Sequence, residues 1–432
     1  MIRMVRGALA VAGLTARELT RQRLWLVFVV LSVGFLFTLP TLQAVDDGAR
    51  LQLAVLAITS TLGFVGILLS ILISAQVLRR DLDARTGYVL FSKPLRPITY
   101  LCGRWLGCLV WLLAGLSALA LAGTLAVSWR FERSPVMRAT QAPVAWEQVS
   151  AIGETTAIAA TRDRVGLSGV PGNGLRWRFT DLATPGPEGA ELLLRARVTG
   201  TSPDQPFGEA LVEVRAQVGD RWVALPLDPA SPYGFDRLAQ ESGRLVLKNR
   251  DNASHDLGQD YLRLRLLPEH IKADGSAVIQ LTRLESRIVI VAEKDASALV
   301  AVPAGGLLTN MLRGVLVLLA ACGLLAGVAL FGATISNLGV ALLSGLTVCF
   351  AGSAHAVIRD TLEWEKPGLI LRRLLELMLT VLPDFNRIPV ATELAAGRAI
   401  SWAVVGHAWL YFSVFTVIAM GCAWIALRRR EL

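Results

Sequence analysis

The densest run of chemically capable side chains is Arg79-Arg80-Asp81-x-Asp83-x-Arg85-Thr86-Gly87, then the apolar YVLF, then Ser92-Lys93-Pro94-Leu95-Arg96. Guanidinium, carboxylate and ammonium groups interleave here, but they do not converge with any base or nucleophile as an active site requires. The chemistry on offer is recognition. A short amphipathic element with exposed charge and a proline-defined stop can enter a partner's groove. The same basic residues can equally act as a topogenic clamp on the ends of two apolar segments. Residue physics alone leaves both readings open.

Other motifs narrow the chemistry by their absence. The five lysines follow Ser92, Leu247, Ile271, Glu293 and Glu365, so none belongs to a Gly-Lys-Ser/Thr phosphate cradle. Neither G-x-S-x-G nor H-E-x-x-H occurs. The reading is therefore of a chain that is not itself an enzyme and binds no cofactor or metal directly. His255 and His270 sit near Asp251 and Asp256 and read as solvated histidines beside surface acids. Cys102, Cys108, Cys322, Cys349 and Cys422 all lie in or beside apolar segments, where cysteine serves as a small apolar filler. Two polar residues fall within apolar runs and are candidate membrane sites. Arg313 is functional if truly intramembrane, but the favoured reading is a span starting near 314 with Arg313 snorkelling to headgroups. His407 faces either a helix bundle or the interface. Gly103/Gly107 and Gly323/Gly327 have the spacing that permits close helix contact.

These residues are held by a chain with 53% hydrophobic content, 18% charged content and a mean hydropathy of +0.52. Several apolar runs exceed the roughly 18–20 residues that cross a bilayer core, so the sequence predicts a mainly α-helical polytopic membrane protein. Six spans are read: 24–43, 51–78, 105–128, two within 303–358 divided by GATISNLG at 332–339, and 401–427. The first is read as retained rather than cleaved, since Leu42-Gln43-Ala44 is a poor small-x-small site. Residues 1–23 place Ile2, Val5, Leu9, Ala12, Ala16 and Leu19 on one helical face beside Arg3, Arg6, Arg17 and Arg21. That pattern predicts an amphipathic helix in the cytoplasmic interface.

The net charge of +9 is unevenly placed. The first 23 residues, the 79–104 block and the C-terminal RRREL hold 14 basic and 4 acidic residues, whereas 129–303 holds 21 and 22. The excess thus lies on one side of a six-span model, as the positive-inside rule requires. Both termini and the 79–104 block read as cytoplasmic, and 129–303 as extracytoplasmic. No nucleic-acid partner is needed to explain the charge.

The 129–303 interval alternates apolar and polar residues in LRWRFTD (175–181), LLLRARV (192–198), VEVRAQV (212–218), LVLK (245–248), YLRLRLL (261–267), VIQL (278–281) and RIVIV (287–291). Gly/Pro/Asp-rich turns between them indicate an inserted antiparallel β-sandwich or jelly-roll-like domain. Residues 129–168 show no assignable pattern. Within 304–432, GLILRRLLELMLTVLPDF in the outer segment 358–400 reads as a helix lying at, or dipping into, the membrane face.

With the elements in place, the opening block resembles a known pattern. Asp81-x-Asp83-Ala84-Arg85-Thr86-Gly87, Ser92-Lys93-Pro94-Leu95-Arg96 and Gly103-Arg104-x-x-Gly107 are similar to the ABC-2 type transporter permeases, nearest the multicopper-enzyme-maturation and gliding-type subgroup. ARELTRQRLWLV (16–27) and VLPDFNR (381–387) add to the likeness, which covers the six-span part. Aspartates stand where glutamate is common and Arg104 where lysine is common, and the large insertion is unlike many members. The resemblance implies a bacterial inner-membrane permease subunit, working as a homodimer or pseudo-dimer with a separate ABC ATPase that supplies ATP chemistry. It assigns ATPase coupling to Arg79, Arg80, Asp81, Asp83, Arg85, Thr86, Gly87, Lys93, Pro94 and Arg96. A membrane-anchored scaffold whose outer domain recognises a periplasmic protein or glycan is the alternative.

Overall fold

A computed structural model describes residues 2–23, 25–38, 47–83, 96–131, 136–158, 164–167, 170–182, 190–194, 197–200, 209–225, 244–248, 262–284, 288–293, 297–355, 357–358, 362 and 369–429. The chain divides into a helical unit, Met1–Pro135 with Gly306–Leu432, and a β unit, Val136–Gly305.

The helical unit contains α1 (Ile2–Arg21), α2 (Trp25–Thr38), α3 (Asp47–Asp83), α4 (Pro97–Arg130), α5 (Leu307–Ile335), α6 (Leu338–Ser353), α7 (Leu369–Val381), α8 (Val390–Ala395) and α9 (Trp402–Arg429). Four of these, α3, α4, α5 and α9, are long and apolar enough to cross a membrane. The protein is thus membrane-embedded. At 1.5 Å per residue α3 and α4 exceed the ~30 Å hydrocarbon core, so their charged ends can reach water. The other two apolar segments appear as shorter helices, α2 of 14 residues and α6 of 16. The segment read at 24–43 continues past α2 into residues outside the described set.

Local sequence explains several boundaries. Pro97 opens α4 with its φ already set for a helix, after an extended Arg96. The GATISNLG break stands where expected: α5 ends at Ile335, and the Asn337 side chain caps α6 by accepting from the Val340 N–H at 3.0 Å. Gly103 and Gly107 face α1 so closely that added Cβ atoms would stand 2.6 Å from the Val11 Cβ and 2.5 Å from the Thr15 Cβ. This GxxxG pair is therefore the seat of α1.

The N-terminal helix is amphipathic, and its seat uses part of the expected apolar face: Val11, Ala12, Thr15 and Leu19 are buried, while Val5, Leu9 and Leu14 are exposed. Helix α7 ends before Pro383 as predicted, with Ile370, Leu371, Leu374 and Leu377 exposed.

The β unit has fourteen strands among its described residues, in three antiparallel sheets. Strands β1 (Val136–Gln141), β14 (Ala298–Gly306), β6 (Ala190–Leu194) and β11 (Leu262–Leu266) form one. The largest runs β10 (Arg244–Lys248), β8 (Glu209–Val218), β12 (Ala277–Arg283), β5 (Gly174–Phe179), β2 (Ala145–Val149) and β3 (Thr155–Ala157), with β9 (Arg221–Ala224) on β8. The third holds β4 (Arg164–Leu167), β13 (Ile288–Glu293) and β7 (Arg197–Gly200). All three contribute to one core, including Trp146, Leu167, Trp177, Phe179, Val214, Leu264 and Ile290. LLLRARV, read as one strand, is two strands in different sheets. The unassigned 129–168 stretch supplies β1 to β4, and the unit runs to Gly305, two residues beyond 303.

Candidate functional site

The site is built where α3 ends and α4 begins, on either side of the charged block. Arg104 lies between the two seat glycines and is 3% exposed. Its Nη1 donates to Glu18 Oε2 of α1 at 2.9 Å and to Thr15 Oγ1 at 3.1 Å. Its Nη2 pairs with Asp81 Oδ2 at the end of α3. The Tyr100 hydroxyl, one turn earlier on α4, donates to the same Asp81 oxygen. Arg104 Nε in turn faces Tyr100 Oη at 3.4 Å.

One guanidinium thus joins three helices. A buried charge is costly unless paired and hydrogen-bonded, and here both conditions are met around a planar fork that takes carboxylates from two directions. Beside the cluster a cleft of about 860 Å³ is lined by Leu14, Arg17, Glu18, Arg21, Asp81 and Arg104. Arg17 and Arg21 share this cleft with the two carboxylates. The arrangement fastens α1 and the two ends flanking the charged block together.

The residues assigned to the block separate accordingly. Asp81 is buried in the cluster, not presented outward. Arg79 forms an i,i+4 pair with Asp83 at 2.8 Å and donates to the Ser336 carbonyl at 2.8 Å, tying α3 to the α5–α6 turn. Arg80 and Arg96 are exposed, with Arg96 Nη1 3.8 Å from Met4 Sδ. Arg85, Thr86, Gly87, Lys93 and Pro94 lie outside the described residues.

Sequence reasoning quoted Arg104 only as part of a motif and missed Tyr100, Thr15 and Glu18. A signal existed: Glu18 is the single acid among the first 23 residues, amid five arginines. Tyr100 and Arg104 also share a helical face at i,i+4.

The other predicted positions are structural. Arg313 donates to the Ile400 carbonyl at 3.0 Å and lies over the Trp402 ring at 5.2 Å, so it braces the turn entering α9. His407 is exposed and its Nδ1 lies 2.8 Å from the Ala403 carbonyl of its own helix. The VLPDFNR stretch staples α6 to α9. Asp384 caps the 3₁₀ turn Phe385–Arg387, its N–H donates to Tyr411 Oη at 2.8 Å, and Asn386 Nδ2 donates to the Ser353 carbonyl at 2.8 Å. His270, read from the sequence as solvated, is instead buried in the β unit, where it accepts the Leu267 N–H on Nδ1 at 3.0 Å. Burial holds its pKa below the ordinary 6.5, against a smaller opposing pull from Glu269. No group of three or more metal-ligating side chains occurs among the described residues.

No family model matches this chain, and neither a curated protein nor a solved structure matches it.

Proposed function

We propose that this protein is the permease subunit of an ABC-2 type transporter, energised by a separate P-loop ATPase. In this reading it has six spans, with α2 and α6 as the shorter two. Both termini and the 79–104 block are cytoplasmic in a bacterial inner membrane, and the β unit is a sandwich or jelly-roll-like domain outside. Two permease copies work with two ATPases, for export or for mechanical work on the envelope. One observation carries the proposal: the charged block is rooted at both ends in the Asp81–Tyr100–Arg104–Glu18 cluster. A push on a segment so rooted moves α1, α3 and α4 together, which is what a ligand-driven shift between packed states needs. None of the chain's five lysines belongs to a phosphate cradle, and an outside energy source is what this reading then requires.

The cluster also divides the labour among the assigned residues. Arg80, Arg85, Lys93 and Arg96 are the contact candidates, whereas Asp81 transmits. Purification of the full chain from its host with mass spectrometry of bound proteins tests this. The expected companion carries a P-loop, and it is lost from Arg85→Glu/Lys93→Glu. If no P-loop protein accompanies the wild type, the reading falls.

The scaffold alternative draws on a different observation, the β unit's own core of aromatic and aliphatic residues. It predicts binding of an envelope glycan or protein by a chain that stimulates no ATP turnover.

A further inference from the structure

A groove of about 340 Å³ runs between α4, α5 and α9. Ile98, Cys102 and Trp105 form one wall, and Trp409, Met420 and Gly421 the other, over Ala320 of α5. From Trp409 to Gly421 it follows α9 for ~18 Å. The polar groups beside it are already engaged. Trp105 Nε1 donates to the Gly323 carbonyl at 2.8 Å, the Thr416 hydroxyl to Phe412 at 2.8 Å and the Ser413 hydroxyl to Leu410 at 2.9 Å. These groups have no donor left for a polar solute, whereas an alkyl chain would lose nothing. The groove is cut into helices of membrane-spanning length, so its natural solvent is lipid.

The end where α4 begins and α9 finishes is basic. Arg96 precedes α4 and is exposed two residues before Ile98. Arg428, also exposed, lies over the Trp424 ring at 5.9 Å, one helical turn beyond Met420 and Gly421. A column of groove wall, indole and guanidinium therefore leads from hydrocarbon depth to headgroup level, which is how amphipathic side chains are arranged at a bilayer surface.

We propose that this groove holds one acyl chain of an anionic phospholipid whose phosphate rests against Arg96 and Arg428. The arginine fork suits phosphate oxygens, and the apolar walls match a chain, not a sugar or peptide. The inference rests on the membrane-embedded helices and shares only Arg96 with the ATPase reading, so groove labelling is read out independently of partner retention.

The test uses the full chain in nanodiscs containing phosphatidylglycerol with a mid-chain diazirine, and in parallel the same probe on phosphatidylcholine. After illumination, label on the wild type should concentrate at Trp105 and Met420–Gly421 over the outward-facing Leu125 and Leu343, and more so for phosphatidylglycerol. Gly421→Leu puts a side chain at the groove wall where a Cβ meets no atom within 4 Å. It should bring groove labelling down to the level of Leu125 and Leu343. Arg96→Gln/Arg428→Gln should keep the labelling but abolish the preference for the anionic probe. Equal labelling at groove and outward positions, or labelling indifferent to Gly421→Leu, overturns the proposal. A change in oligomeric state with Gly421→Leu, without groove labelling in the wild type, would assign the groove to a second copy and overturn it equally.

Discussion

The two units solve the problem of cohesion in opposite ways. In the β unit Trp146, Trp177 and Phe179 meet aliphatic residues from three sheets, so removing apolar surface from water supplies the drive. In the helical unit that drive is weak between helices, because lipid is as apolar as leucine. Its helices are held instead by close approach at Gly103 and Gly107 and by the polar cluster around Arg104. Buried arginines show the same contrast. Arg283 at the end of β12 is fully enclosed and donates to the Val170 carbonyl, within one sheet's own turn. Arg104 joins three helices distant in sequence. Charge in the helical unit is therefore a fastener between elements, and fasteners can carry motion.

The largest predicted effects come from removing each unit's own device. Trp177→Ala should destabilise the β unit by about 3–5 kcal/mol, as large-to-small core changes do. Limited proteolysis of the full chain should then cut first within 136–305 and leave the helical unit intact. Arg104→Met strands two carboxylates and should cost about 3–5 kcal/mol, felt as release of α1. Spin labels on α1 and α4 should show a broadened distance distribution. Adding Asp81→Leu and Glu18→Gln should restore most of the stability but not the coupling between elements. If the triple variant is no more stable than Arg104→Met alone, the cost was never electrostatic.

A smaller effect, about 1–3 kcal/mol, is expected for Gly107→Ala. Its Cβ would meet Thr15 Cβ at 2.5 Å and the Ala12 carbonyl at 2.7 Å, so α1 must lift. The same spin-label pair should report a longer distance. No such change should follow Gly421→Ala, where the space is open.

The smallest effect concerns pH. His270 is neutral when folded because burial lowers its pKa, while the unfolded residue protonates near 6.5. The unfolded state then binds the extra proton as pH falls through 6.5, so β-unit stability should decline below that pH. Protonation would also place a hydrogen on the Nδ1 that accepts the Leu267 N–H. His270→Gln should flatten this dependence in pH-titrated proteolysis; an unchanged slope would locate the sensitivity elsewhere.

What could be read from the sequence follows the same division. Period-two patterning located most strands, because a half-buried sheet writes its two faces directly into alternation. It failed at LLLRARV, where a switch between sheets leaves the alternation unbroken. The long spans and the 332–339 break were legible from length and from the Gly/Ser/Asn run GATISNLG. The clamp was not, because Glu18, Asp81 and Arg104 are brought together only by how α1 seats on α4. Their charges read equally well as solvated ends of helices. Gly103-Arg104-x-x-Gly107 nevertheless contained the device: two gaps for a helix, and between them the side chain that holds it.

The central claim is that the charged block meets a partner ATPase and the Arg104 cluster transmits its motion. ATP turnover of the reconstituted complex in nanodiscs, measured alongside partner retention, tests it most directly. Arg85→Glu/Lys93→Glu should lose the ATPase, whereas Arg104→Met should retain it with turnover no longer responsive to the permease. A wild type that binds no P-loop protein, or an Arg104→Met complex that couples as well as wild type, would contradict the account.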